Sequence, residues 1–378
     1  MAILQEIRDP VILVLLMVFL IATLLQLFYL WGLNGRLGFS RRKTGRKDVV
    51  HPVSVIICVK DEYYQLKENL PFVLHQDHPV FEVVVVDDAS VDETRFLLED
   101  LGKEYTNLSP VFINSDLNFF RGKKFPLSIG IRSAKYDHIL LLDADCRPAS
   151  RNWLKMMQSH FSDETKIVLG YSAYMRRSSF FNTLIRYDAV NTAMHYLGWA
   201  KARIPYKGIG RNLGYHRDLF WEQGGFISHY NLPAGEDDLF VNRVARGRNT
   251  AIETDSDAFT IARSPGSWRS WVRQKRRALM TEAHYRSRDK ALLGAEWLSG
   301  LLHYGTFVAL LWLNIALIPV LVTFGIRLIS LLIVFKKSMI KLQEKDLLVF
   351  SPLLEVFFLL FNPALAISNR FLRKPKWK

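Results

Sequence analysis

The stretch Val83-Val84-Val85-Val86-Asp87-Asp88-Ala89-Ser90-Val91-Asp92-Glu93-Thr94 decides the fold class. Four consecutive valines after Phe81-Glu82 are too continuous an apolar run for a strand with one wet face, so the strand they predict is buried on both sides. It ends in two carboxylates and a polar turn, and the helix-like run Glu93 to Leu101 follows. Carboxylates directly after a buried strand are costly unless solvated, hydrogen-bonded or bound to a cation. The same grammar recurs on either side. Val53 to Val59 predicts a strand followed by helical spacing from Tyr64 to Leu74, and Val111 to Asn114 predicts another. His138 to Leu142 predicts a fourth, which ends in Asp143-Ala144-Asp145. Buried strands alternating with helices make an α/β fold, a Rossmann-like and mostly parallel sheet with helices on both faces. Ligands of such sheets sit at the carboxyl ends of the strands, where both acidic turns fall.

Taken singly, each acidic turn is also what turn-forming or helix-capping aspartates produce. Two of them at one sheet edge favour a ligand. Asp143 and Asp145 offer two carboxylates to a hard divalent cation that would also take phosphate oxygens and water.

The ends of the chain are different in kind. It has 378 residues, 49% of them hydrophobic, and a formal net charge of +14. That apolar fraction excludes a disordered chain, and two cysteines exclude a disulfide-stapled miniprotein. Val11 to Leu33 carries no charged side chain and is long enough, at about 1.5 Å per residue, to cross a hydrocarbon core of about 30 Å. Tyr29 and Trp31 stand near its end as interfacial rings. The basic residues Arg36, Arg41, Arg42, Lys43, Arg46 and Lys47 follow it, which predicts an uncleaved anchor with the next domain in the cytosol. Trp297 to Phe335 predicts two spans with a turn near Pro319. Leu347 to Ile367 holds Pro352, Glu355 and Pro363, and reads either as a third crossing or as a re-entrant or interfacial segment.

The positive charge flanks these apolar runs. Arg36–Asp48 has six bases and one acid, Arg263–Lys290 nine and two, and Arg370–Lys378 five and none, which leaves the remainder mildly acidic. Trp268 to Arg277 mixes indoles with guanidinium groups, as single-stranded nucleic-acid binders do, but its position beside an apolar region predicts an amphipathic helix at an anionic membrane face.

Five ordered motifs between about residues 51 and 290 resemble the family 2 nucleotide-sugar glycosyltransferases of the GT-A fold. They are Val59-Lys60-Asp61-Glu62, the Val83–Thr94 stretch, Leu141–Asp145, Gly235-Glu236-Asp237-Asp238 and Gln274-Lys275-Arg276-Arg277. Ala278 stands where the last motif usually has Trp, which removes an aromatic platform for a polymeric acceptor. The resemblance implies residues 1–35 as a transmembrane anchor, 36–50 as a basic linker and 51–290 as the GT-A domain. Within it, 51–150 is the nucleotide-sugar half and 151–290 the acceptor half with the interfacial basic helix. Residues 291–378 are the C-terminal membrane region.

It also implies roles. Asp145 is expected at Mg²⁺ or Mn²⁺, and Asp143 at the metal or the ribose. Asp87 or Asp88 would meet the base or ribose of the donor, with Glu62 nearby. Asp237 is the expected general base, with Glu236 beside it; like charges in Glu236-Asp237-Asp238 disfavour ionisation, and acids there also suit the start of a helix. Gln274 and Arg277 would contact acceptor or diphosphate. Asn118–Lys124 is either a donor-side loop, with Lys124 as its cation, or a solvated one, and Tyr206–Asn212 either underlies the acceptor or is a tight turn. His195, His216, His229 and His284 lack metal-ligand spacing, and Cys58 and Cys146 read as structural. The expected function is inverting, metal-dependent transfer of a sugar to a lipid-linked or nascent glycan acceptor at the cytosolic membrane face, without nucleic acid as a partner. The alternatives are a processive polysaccharide synthase and, from another class, a membrane-tethered scaffold or nucleic-acid-binding protein.

Overall fold

The structure, a computed structural model, describes residues 9–40, 49–114 and 122–371. The bases Arg41, Arg42, Lys43, Arg46 and Lys47, the Asn118–Arg121 part of the donor-side loop and the basic tail beyond Phe371 lie outside the described residues. Helix α1 (Pro10–Phe28) is capped by Asp9, whose Oδ1 accepts from Val11 N at 2.8 Å, and Pro10 fills the first turn, where its missing N–H is not needed. It continues through a π-helical turn, Tyr29–Asn34, into α2 (Gly35–Gly38).

The middle region alternates as the sequence predicts: β1 (Val53–Val59), α3 (Tyr63–Leu74), β2 (Phe81–Asp88), α4 (Thr94–Glu104), β3 (Leu108–Ile113), α5 (Lys124–Ser133) and β4 (His138–Asp143). These strands are parallel in the order β3-β2-β1-β4, and all of β1 and all but the first residue of β2 are buried. Register sets Val59 opposite Asp87 and Cys58 opposite Asp143, so both acidic turns leave the sheet side by side. Beyond β4 the sheet becomes mixed. Strand β5 (Cys146–Pro148) turns away, and after α6 (Trp153–Gln158) come β6 (Ile167–Leu169), β7 (Ser172–Tyr174), α7 (Phe180–Lys201) and β8 (Leu213–His216). β8 lies between β4 and β6, antiparallel to both, and β9 (Thr250–Ile252), reached through α8 (Asp218–Glu222) and α9 (Asp238–Val244), pairs parallel with β6. A second sheet joins β5 and β7 through β10 (Thr260–Ala262), and Arg263 N donates to Asp145 O at 3.1 Å, which fixes the Asp-x-Asp turn from behind.

Helix α10 (Trp268–Glu282) then leads to α11 (Ser287–Trp312), α12 (Leu317–Lys341) and α13 (Ser351–Phe371). Among the described residues, three helical stretches are long and apolar enough to cross a membrane: Pro10–Gly38, Leu317–Lys341 and Lys345–Asn369. The Trp297–Phe335 run divides at Leu313–Ala316, where Asn314 and Ala316 take φ of 56° and 43°; Pro319 sits within the first turn of α12, where proline is tolerated. Of the two helices it feeds, α11 carries Arg288, Asp289, Lys290 and Glu296 in its opening turns and is not among the three.

These helices expose apolar side chains and bury several polar ones. On α1, Val11, Ile21 and Leu24 are exposed while Thr23 and Gln26 are buried. Thr23 Oγ1 meets His303 Nδ1 at 2.9 Å, and Gln26 Nε2 donates to Glu296 O and Ser299 Oγ at 2.9 and 2.8 Å. Water would reverse this arrangement; hydrocarbon favours it, because polar groups there must find partners within the bundle.

The anchor is pinned to the sheet domain through α7. An added Cβ at Gly198 would lie 2.7 Å from Leu33 O and 2.9 Å from Asn34 O, and Trp199 Nε1 donates to Asn34 Oδ1 at 2.8 Å. Gly198→Ala is therefore expected to cost about 1–3 kcal/mol by forcing two backbones apart. Thermal unfolding in detergent checks it, and an unchanged midpoint would mean that the contact is slack.

Candidate active site

A cavity of about 780 Å³ opens at the carboxyl edge of the parallel strands and continues toward the membrane helices. Its sheet end is lined by Glu62, Asp143, Asp145, Glu236, Asp237, Gln274 and Arg277, residues singled out from four of the five motifs. Asp87 and Asp88 do not line it. They are buried in the adjoining turn, where Asp87 Oδ1 accepts from Ser90 N at 3.0 Å and Lys60 Nζ lies 3.7 Å from the Asp88 carboxylate. That turn is knitted to the β1 exit: Asp61 N donates to Ser90 Oγ, Val91 N to Asp61 Oδ1, and Tyr63 N to Asp92 Oδ2. Burial works against ionisation of Asp92, but donors on Thr94 and Tyr63 outweigh it and hold its carboxyl below the usual range.

The Asp-x-Asp turn splits into two environments. Asp143 is ion-paired with Lys123. Burial opposes its charge, yet the ammonium beside it, with Arg211 and Arg277 further off, holds the carboxyl below its ordinary value. Among the described residues the Asp145 carboxylate accepts only the Cys146 thiol, at 3.2 Å, and burial and then Asp143 push its carboxyl up. Burial also pushes the Cys58 thiol up to about 12 and the Cys146 thiol well above normal, so both behave as packing groups.

The Gly235–Asp238 motif opens α9, and its three acids do different things. Asp237 is the helix cap: Oδ1 accepts from Asp238 N at 2.7 Å and Oδ2 from Gly210 N at 2.8 Å, which ties in the Tyr206–Asn212 turn. Asp238 accepts from Leu239 N with Oδ1 at 2.7 Å and takes the Thr281 hydroxyl and Tyr285 OH on Oδ2, and burial pushes its carboxyl up to about 7. Glu236 lines the cavity with Oε2 buried and, among the described residues, without a hydrogen-bond partner; burial and then Asp237 raise its carboxyl above the ordinary range.

Two adjacent lysines at the start of α5 also separate. Lys124, the residue expected on the donor side, is 3% exposed and points away from the cavity lining; its Nζ donates to Leu232 O and Ala234 O at 2.6 Å each and latches the loop before Glu236. Lys123 is the one in the cavity. Gln274 and Arg277 lie one turn apart on α10, with Tyr174 OH donating to Gln274 Oε1 at 3.4 Å and the Arg277 Nε buried without a hydrogen-bond partner among the described residues. Sequence reasoning did not single out Arg211, which stacks 4.5 Å above the Tyr174 ring, nor Lys275, paired with Asp188 at 2.7 Å. For Arg211 the signal present was its place in the glycine-rich Tyr206–Asn212 turn. His195 and His229 are absorbed structurally, bonding Asn191 O and Gly235 O at 2.7 and 2.9 Å.

Residues 54–223 match Glycosyl transferase family 2. A poly-beta-1,6-N-acetyl-D-glucosamine synthase of Staphylococcus epidermidis is 30% identical over 96 residues, 25% of this chain and 22% of that protein. Its Staphylococcus aureus counterpart is 28% identical over 110 residues, 29% and 26% of the two chains. The chain thus spans about a quarter of the length of the curated relatives it matches. A solved structure of a mannosyltransferase from Pyrobaculum calidifontis in complex with GDP-Man and Mn²⁺ is similar in fold over 90% of this chain and 96% of its own, with a TM-score of 0.58 and 18% identity.

Proposed function

We propose that this chain, which is a family 2 glycosyltransferase of the GT-A fold, moves a sugar with inversion from a nucleotide-sugar donor to an acceptor hydroxyl at the cytosolic face of a membrane. The observation that carries this reading is one cavity holding the Asp143–Asp145 turn, the Glu236 carboxylate, whose Oε2 has no hydrogen-bond partner among the described residues, and the cations Lys123, Arg211 and Arg277. Inverting transfer needs a base on one face of the sugar and neutralised charge on the leaving group at the other. In this reading residues 51–290 form the catalytic unit, with the Asp87–Asp88 turn and Glu62 on the nucleoside side.

The acids fit a divalent cation, Mg²⁺ or Mn²⁺. Asp143 and Asp145 present hard oxygen ligands, and Asp145 sits in excess negative charge that a cation would relieve. Among the described residues no group of three or more His, Cys, Asp or Glu is placed to cage a metal, so donor phosphate and water would complete the shell. When bound, the ion supplies Lewis-acid neutralisation of the diphosphate. The protein's own part is to orient: Arg277 and Arg211 face the phosphates, Asp237 fixes the Gly210 turn against α9, and Glu236 takes the acceptor proton. The inside-out helices support a lipid-linked or nascent glycan acceptor delivered beside the bilayer.

A processive synthase is the second reading, supported by the cavity's continuation past Glu296 to Tyr304 and Glu355 between the helices. Product length on the purified enzyme decides between them.

The test is a panel of nucleotide sugars with full-length protein, Mn²⁺ or Mg²⁺, and nucleoside diphosphate release as the readout. Release that depends on one donor is expected, and a panel that gives none would remove the assignment. Asp145→Ala is expected to lower turnover at least a hundredfold with the unfolding midpoint nearly unchanged; full activity would sink its role.

A further inference from the structure

We infer that Lys123 is a resident counter-cation of Asp143, which a divalent ion must displace and which then moves onto the donor's diphosphate. The inference rests on the glycosyltransferase reading above and concerns how the site is held before the donor arrives.

Three observations carry it. First, Lys123 and Asp143 both line the cavity, and the lysine Nζ donates directly to Asp143 Oδ1. Second, the ammonium is committed to that place. Its side chain is 13% exposed, makes no capping bond at the start of α5, and is separated from its neighbour because Lys124 is spent on the Leu232 and Ala234 carbonyls. Third, among the described residues the other cations acting on Asp143, Arg211 and Arg277, do so through space without an ion pair, so Lys123 is its direct partner there. An Asp143 whose Oδ1 is held by an ammonium is a poorer ligand than a free carboxylate. A cation drawn to both Asp143 and Asp145 competes with Lys123 for the Asp143 charge, and an ammonium left without its partner in a largely buried place is unfavourable. The donor removes that obstacle, because its diphosphate offers the freed ammonium a new anionic partner. Ion and donor therefore help each other through this lysine, and the coupling is reciprocal. The device balances the charge of Asp143 when no substrate is present, and it disfavours stray divalent ions without donor.

The experiment measures Mn²⁺ binding to nucleotide-free full-length protein by the electron paramagnetic resonance signal of free Mn²⁺. Wild type is compared with Lys123→Met, Lys123→Gln and Lys123→Arg. Removing the charge is expected to tighten Mn²⁺ binding at least tenfold without nucleotide, and to weaken binding of the nucleoside diphosphate in chelator by a similar factor. Lys123→Arg should stay within about threefold of wild type. Two neutral variants are used so that one that fails to fold leaves the other. Mn²⁺ binding that Asp145→Ala abolishes but that neither neutral variant tightens would overturn the role of Lys123 alone. Mn²⁺ binding indifferent to Asp145 would overturn the metal assignment, and the role of Lys123 with it.

Discussion

Glu236→Gln is expected to lower kcat about a thousandfold while nucleotide-sugar binding changes by no more than a few-fold. A positioned general base contributes roughly 10²–10⁴ in rate, and among the three acids of the motif Glu236 is the one free to act as one. Asp237 has both oxygens on backbone N–H groups, and Asp238 is turned to Thr281 and Tyr285. Glu236 keeps one buried oxygen with no hydrogen bond among the described residues, in a position where burial and Asp237 raise its carboxyl. A base must be ionised to work, so wild-type activity should rise with pH across that raised value, and the acid limb should vanish from the residual activity of Glu236→Gln. Asp237→Asn, whose amide oxygen still accepts one of the two N–H bonds, should lose less kcat and more thermal stability. A larger kcat loss in Asp237→Asn, with its fold intact, would exchange the two roles.

The second large effect is structural. Arg327 on α12 is 1% exposed and donates to both oxygens of Glu355, to Tyr304 OH at 2.9 Å and to Gln26 Oε1 at 2.7 Å. One side chain therefore joins α1, α11, α12 and α13. Arg327→Met leaves the Glu355 carboxylate without its cation in an apolar bundle and should cost about 3–5 kcal/mol. Replacing both members, Arg327→Met with Glu355→Leu, should recover much of that loss, because a neutral pair removes the stranded charge. Unfolding midpoints in detergent measure both. A double variant no better than the single one would show that the four-helix junction, rather than charge pairing, is what Arg327 maintains.

The fold was legible where the sequence was monotonous. Val83–Val86 and Leu140–Leu142 could only be strands buried on both faces, and their terminal acids marked the working edge. The antiparallel entry of β8 was hidden because Leu213–His216 is four residues long and follows directly on the glycine-rich Tyr206–Asn212 turn. The small sheet was hidden for the same reason, each strand being three residues long. Site chemistry was legible as to which segments meet, but not as to which neighbour does what. Lys123 and Lys124 are identical in type and adjacent in sequence, and only their directions from the start of α5 assign one to the cavity and the other to a pair of carbonyls. Glu236 and Asp237 divide in the same way, since the residue at the helix cap spends its oxygens on backbone. The Arg327–Glu355 pair spans two helices and their connection, a separation at which one sequence carries no pairing signal.

The seam at Gly198 also makes the protein a ruler. With Leu33 and Asn34 pressed against α7 and the Trp199 indole fastened to Asn34, the reach from the apolar, exposed part of α1 to the Asp143–Asp145 turn is set by packing. On the proposed function, an acceptor rooted in the same bilayer would be sorted by length as well as by chemistry: its hydroxyl would have to stand at the height of Glu236, and one sugar more or less would move it out of register.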